Sequence, residues 1–349
     1  MRCFWYFLLL LFPVQLNADT IQLLNWDAYL DPQVKQLWEK QSGHRIDIIK
    51  FDSDEKRDAL LVNADKNKID IAVVDEIVAE RFGKSGRFLE LNEQNLPSLK
   101  YMGEFWRDRC GKHAAPYLWG TLGIIYRSDK VKTPPTSWKA LIEPSDELKG
   151  HIGMMNDHTD LLAPVLFLQG EPLNTDNTDV LKRVFSTLKK QTNYVLTYEY
   201  PVTFLESSPQ ATELHMAVAY GGDQVAINEK IGQQGLWKYT TPQEGTVLWV
   251  DCLAISVHSE NKRAALEFLE YLNQPQVSAI NAEKLHYATP NNAALKHLSE
   301  TFKNDPEVFP TKAVQEKSDL YEKLSNENIK QRLRITNAIV NIHESKQTR

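Results

Sequence analysis

The residues best equipped for chemistry in this 349-residue chain are aromatic rings and carboxylates that meet in short stretches. Asn25-Trp26-Asp27-Ala28-Tyr29 sets two rings close together. Val74-Asp75 puts a carboxylate directly after an apolar run. Asn156-Asp157-His158-Thr159-Asp160 carries two carboxylates three residues apart, and Tyr220-Gly221-Gly222-Asp223 joins a ring to an acid. Trp249-Val250-Asp251 presents ring and carboxylate on one strand face by period two. Tyr287 precedes Ala288-Thr289-Pro290. Rings interleaved with carboxylates suit an elongated polycation. Its ammonium groups require acids at intervals, and its methylenes require flat apolar walls. Rings provide such walls and attract cations by about 0.5–2 kcal/mol each. Charge-assisted hydrogen bonds to carboxylates add roughly 1.5–3 kcal/mol apiece.

Each of these residues also has a plainer use. Asp157 and Asp160 at a helix start could cap free N–H groups. Asp75 could be a turn residue, and Tyr220 and Trp249 could be core packing. Asp251 resists that treatment, because a carboxylate inside an apolar strand is costly unless paired. Catalytic signatures are missing: there is no H-E-x-x-H, G-x-S-x-G, G-x-x-x-x-G-K-[ST] or G-x-G-x-x-G. Histidines such as His158 and His286 are scattered and read as structural or exposed. The chain is therefore expected to be a binder rather than an enzyme, with no cofactor and no metal.

Composition is that of a globular protein, 42% hydrophobic and 25% charged. The length exceeds one ordinary hydrophobic core, so two lobes are expected. Arg2, the apolar run Phe4–Phe12 and Leu16-Asn17-Ala18 read as a signal peptide over residues 1–18, which implies export. Losing Arg2 takes the formal charge from −6 to −7. That excludes a typical nucleic-acid binder and favours a cationic ligand. Cys110 and Cys252 remain after cleavage. An exported protein can bridge them or bury them as separate thiols, and the sequence leaves both open.

The elements that must position the rings and acids follow from periodicity. Strands at 21–26, 45–51 and 69–74 alternate with helices after Asp31-Pro32, near Ser53 and from about Glu76. A second α/β series has strands at 117–127, 151–155, 194–198 and 214–220, with helices at 161–169 and 180–190. The longest strand is expected at 246–257 and would cross between the two units. Helices follow near 263–272 and 277–284, and the chain beyond Thr311 reads as helical. Nearly every ring-and-acid stretch lies at a strand end, where open parallel sheets bind ligands.

With those stretches in order, the chain resembles the periplasmic spermidine/putrescine-binding proteins of polyamine transporters, and within that family its norspermidine-sensing branch. The resemblance rests on Leu24-Asn25-Trp26-Asp27-Ala28-Tyr29, Tyr117-Leu118-Trp119-Gly120-Thr121, Trp249-Val250-Asp251-Cys252-Leu253-Ala254-Ile255 and Tyr287-Ala288-Thr289-Pro290-Asn291. It implies an α/β type II periplasmic-binding fold of two lobes, residues 19–121 plus 250–290 and 122–249 plus 291–349. It implies that Trp26, Tyr29, Asp157, Asp160, Trp249, Asp251 and Tyr287 line a polyamine pocket. Asp75 stands where relatives carry serine, Ile77 where they carry tyrosine and Tyr220 where they carry tryptophan, while Ala28 replaces an acid. A last contact is expected at Tyr321 or Glu322. Implied partners are spermidine, norspermidine or putrescine, together with an inner-membrane receptor controlling cyclic-di-GMP and biofilm formation or, alternatively, an ABC permease. A monomer is expected.

Overall fold

The computed structural model describes residues 18–347 except 28, 52 and 53. The expected leader, Ala18 apart, lies outside the described residues, as does Ser53. The first unit runs β1 (Thr20–Trp26), α1 (Pro32–Ser42), β2 (Arg45–Phe51), α2 (Asp54–Val62), β3 (Ile71–Asp75) and α3 (Glu76–Lys84). β1 lies parallel to both β2 and β3. Local chemistry explains the boundaries. The Asp31 carboxylate accepts from the Gln33 and Val34 N–H groups, Pro32 fills the first turn, and Gly43 closes α1 at φ 77°.

After α4 (Glu104–Cys110) comes β4 (Ala115–Arg127), and then the second unit. It comprises β5 (Ile152–Gly153), α5 (Ala163–Gln169), α6 (Thr178–Gln191), β6 (Val195–Thr197), α7 (Pro201–Ser207), β7 (Met216–Tyr220), α8 (Asp223–Ile231) and β8 (Trp237–Thr240). β5 is parallel to β6 and β7. The chain ends with β9 (Val247–Ile255), α9 (Lys262–Leu272), α10 (Pro275–Leu285), β10 (Asp319–Leu320) and α11 (Asn326–Gln347). Strand order is β2-β1-β3-β9-β4-β7-β5-β6, with β10 on β9 and β8 on β4.

This is the α/β type II periplasmic-binding fold, two lobes joined by crossing strands. β9 is antiparallel to β3 and β4. Along β4, residues up to Thr121 pair with β9 and residues from Leu122 pair with β7. β9 was expected to be the longest strand, but it has nine residues and β4 has thirteen. β4 is longer because it finds a new partner on entering the second lobe. β8 and β10, four and two residues long, are too short for periodicity to reveal.

Alternation along the strands distributes the core. In β9, Leu253 and Ile255 join Ile21, Leu23, Trp38 and Phe268 on one face of the first-lobe sheet. Val250, Cys252 and Ala254 join Leu24, Phe51 and Val74 on the other. Trp249 and Asp251 thus continue the Leu253 face past the edge of its core. The second-lobe core gathers Leu122, Trp138, Leu166, Leu188 and Ile339 of α11. Ala294, Leu298, Phe302 and Val308 pack in the first lobe with Leu24 and Phe51, although residues after 290 were expected in the second. Cys110 and Cys252 form a disulfide, with Cα atoms 5.8 Å apart, that ties α4 to the crossing strand beside Asp251.

Candidate ligand-binding cleft

Five aromatic side chains from both lobes form one continuous line. Tyr29, in the turn between β1 and α1, meets Tyr287 with ring centroids 5.2 Å apart. Tyr287 meets Trp249 of β9 at 5.7 Å, Trp249 meets Tyr220 at the end of β7 at 6.4 Å, and Tyr220 meets Tyr200 at 6.3 Å. The pairs are edge-to-face or tilted rather than stacked. Backbone features hold the line in place. The Tyr117 hydroxyl donates to the Tyr29 carbonyl at 2.8 Å. Tyr287 leaves α10 through His286, at φ 61°, and lies so close to Gly222 that a Cβ there would fall 2.5 Å from its ring. Trp26 stands at the end of β1 with its ring 4.3 Å from Phe51, beside this line rather than in it.

The carboxylates differ from one another. Asp251 is partly buried. Burial pushes its carboxyl up to about 7, with the charge of Asp75 adding to the rise and Tyr29 and Arg57 easing it. The Tyr29 hydroxyl lies against Asp251 without closing a hydrogen bond of normal geometry. Asp160 is buried, and both its oxygens accept from phenols, one from Tyr220 and one from Tyr321 at 2.6 Å. Burial and then the charge of Asp157 raise it to about 7 against the pull of those hydroxyls.

Asp157 is a cap. Its Oδ1 accepts from the Thr159 and Asp160 N–H groups, at 2.7 and 2.8 Å, and from the Thr159 hydroxyl. Burial would raise it, but these bonds, together with His158, outweigh burial and hold it well below the usual carboxylate range. Asp75 caps α3 through the Val78 N–H at 2.7 Å, and its other oxygen pairs with Arg57 Nη2 at 2.8 Å. Capping, the plain reading of Asp157, describes real bonds; Asp75, whose plain reading was a turn residue, also proves to be a cap, while Asp160 and Asp251 are not caps. Of the two candidates for the last contact, Tyr321 faces Asp160 and Glu322 is exposed.

Several residues of the cleft were not singled out from the sequence. Asp54 opens α2, with its side chain 63% exposed and its Oδ1 2.9 Å from Arg57 Nη1. It lies near enough to feel Asp157, and Asp160 in turn feels Asp54, so charge is shared across the cleft. Burial raises Glu76 to about 8, with Asp75 and Asp251 contributing. Asp223 is buried beneath Tyr200, whose hydroxyl donates to it at 2.6 Å. Arg57 is 2% exposed and clasps Asp54, Asp58 and Asp75. Glu76 directly follows the end of β3 and would have been found by the rule that found Asp75 and Tyr220, whereas Tyr200 lies three residues past β6, at the start of α7. Across the lobes, Gln224 Nε2 donates to Glu307 at 2.9 Å. Among the described residues, no group of three or more histidines, cysteines or acids is arranged to hold a metal ion, and no helix is long and apolar enough to cross a membrane.

The bacterial extracellular solute-binding protein family matches residues 33–311. A norspermidine sensor from Vibrio cholerae is 31% identical over 332 residues, covering 95% of this chain and 92% of that protein. The putrescine-binding periplasmic protein SpuD from Pseudomonas aeruginosa is 28% identical over 324 residues, 86% of each chain. The crystal structure of the spermidine/putrescine transporter substrate-binding protein PotD from Streptococcus pneumoniae superposes with a TM-score of 0.83. It is 22% identical and spans 93% of this chain and 100% of its own, which speaks to the fold.

Proposed function

The chain belongs to the bacterial extracellular solute-binding protein family, and we propose that it captures a polyamine of the spermidine and norspermidine class in this cleft. The observation that carries the reading is the line of rings from both lobes, with Asp251 beside Tyr29 at its first-lobe end and Asp160 beside Tyr220 further along it. Ligand contacts fall to Trp26, Tyr29, Asp75, Asp157, Asp160, Tyr220, Trp249, Asp251 and Tyr287, joined by Tyr321. A few cation–π contacts and charge-assisted hydrogen bonds supply more than the roughly 8 kcal/mol of micromolar affinity, before ordering costs.

The mechanism is a population shift. A ligand that touches both lobes favours the closed form, and the closed surface is what a membrane partner reads. The lobes divide as 19–121 plus 250–290 and 122–249 plus the C-terminal helix α11, with the stretch from Ala294 to Leu320 joining the first lobe, an extension supported by the packing of Leu298, Phe302 and Leu320 with Phe51. The protein works in the periplasm as a monomer, and its role is sensory, through an inner-membrane receptor controlling cyclic-di-GMP and biofilm formation. The 31% identical norspermidine sensor supports that role over import.

A thermal-shift and calorimetric series against putrescine, spermidine, norspermidine and spermine tests the ligand class. Tightest binding of a triamine supports it, and no response to any of the four removes it. Deleting the gene then separates the roles. Loss of the biofilm response with polyamine uptake intact supports sensing, and loss of uptake supports an importer.

A further inference from the structure

The cleft contains a cation of its own. Arg57 projects from α2, whose first residue, Asp54, follows the end of β2 at the cleft. Its Nη2 is 2.8 Å from Asp75 Oδ2 and its Nη1 is 2.9 Å from Asp54 Oδ1. Both nitrogens on the Asp58 side lie 3.1 Å from Asp58 Oδ1. Asp75 is the register partner of Asp251 on the neighbouring antiparallel strand. The guanidinium therefore lies beside the carboxylate at the first-lobe end of the aromatic line, where an incoming ammonium would go.

We infer that Arg57 is a specificity-determining residue that fills one ammonium position of the cleft and so limits the number of amines a ligand can carry. The inference rests on the polyamine reading above. Arg57 already holds Asp75 and Asp54 in ion pairs, so Asp251 is the first-lobe acid with no cationic side chain bound to it among the described residues, and a ligand reaches Asp75 only alongside the guanidinium. A triamine can place its ammoniums between Asp251 and Asp160. A longer tetraamine would push its fourth ammonium toward the guanidinium, and like charges at that range repel. A plainer role is also served by the same contacts, since Arg57 and Arg81 both bind Asp58 and tie α2 to α3. The two roles give different results when binding of different amines is compared.

The test measures, by calorimetry, the ratio of tetraamine (spermine) to triamine (norspermidine) affinity in the wild type, Arg57→Gln, Arg57→Met and Arg57→Lys. Loss of the charge should raise that ratio about tenfold in the Gln and Met variants, the worth of one added charge-assisted hydrogen bond. Lysine keeps a cation without the planar fork and should hold the ratio near the wild-type value. An unchanged ratio in Arg57→Gln and Arg57→Met, or a rise in Arg57→Lys as large as theirs, overturns the inference. If neither neutral variant folds, the Arg57 Nε–H resonance of the wild type decides. It should shift on adding norspermidine and shift further with spermine, and a resonance that moves with neither overturns the inference. Failure of the wild type to bind any amine would instead overturn the polyamine reading itself.

Discussion

Gly120 of β4 lies directly opposite Trp249 of β9, and a Cβ at Gly120 would fall 2.4 Å from the indole. Nothing larger than hydrogen can stand there while the ring keeps its place between Tyr220 and Tyr287. The glycine is thus part of how the cleft acquires its central ring, although it carries no functional group.

Gly120→Ala is expected to displace the indole. Overpacking of this kind costs typically about 1–3 kcal/mol, so the melting temperature should fall. Polyamine affinity should fall about tenfold if Trp249 supplies one strong cation–π face. Fluorescence titration and thermal unfolding on the same variant check both. Wild-type affinity in a destabilised Gly120→Ala would mean the ring's placement does not matter for binding.

Asp251→Asn and Trp249→Ala probe the ring-and-acid pair directly. Each should weaken triamine binding tenfold or more, about the worth of one charge-assisted bond or one desolvated cation–π contact. Calorimetry reads the loss, and unchanged affinity in either variant would remove that residue from the site. Asp75→Ser should behave differently from Asp251→Asn. It leaves Arg57 with one partner fewer, so its effect should grow with the number of ligand amines rather than weaken all ligands alike.

Much of this arrangement was legible in the sequence because strand ends are legible. Apolar runs end at Trp26, Asp75 and Tyr220, and the antiparallel β9 brings its opening residues, Trp249 and Asp251, to the same place. The split between Asp157 and Asp160 was not legible. Their three-residue spacing fits caps and ligands equally well. Only the fold makes Asp157 the acceptor of the Thr159 and Asp160 N–H groups and aims Asp160 at two phenols from distant segments, Tyr220 and Tyr321. Arg57 was hidden for a related reason. It sits among charged residues on a short polar helix, where sequence alone indicates a solvated face. Its burial depends on α3 and the end of β3 closing over it. The packing of Leu298 and Phe302 against the first lobe was missed because that stretch holds only short turns of helix, with no period to follow.

The last prediction concerns protons. Burial, then the charge of Asp157, lifts Asp160 to about 7, and burial with the charge of Asp75 lifts Asp251 to about 7. Both carboxyls lie near 3.9 in an unfolded chain. Between about pH 4 and 7 the ligand-free folded protein holds these protons and the unfolded chain does not, so their contribution to stability is lost as pH rises through that window. Binding works in the opposite direction. Polyamine ammoniums, with pKa values of about 10, stay charged and favour the ionised carboxyls, so capture near pH 6.5 must release protons. Affinity should therefore climb between about pH 5 and 7, by at most about tenfold per pH unit for each carboxyl the ligand meets, and level off above about pH 8. Calorimetry in buffers of different ionisation heat measures the release directly. Asp160→Asn should remove part of it and Asp251→Asn another part. Binding at pH 6.5 with no proton release would show that the ligand's ammoniums meet neither carboxyl.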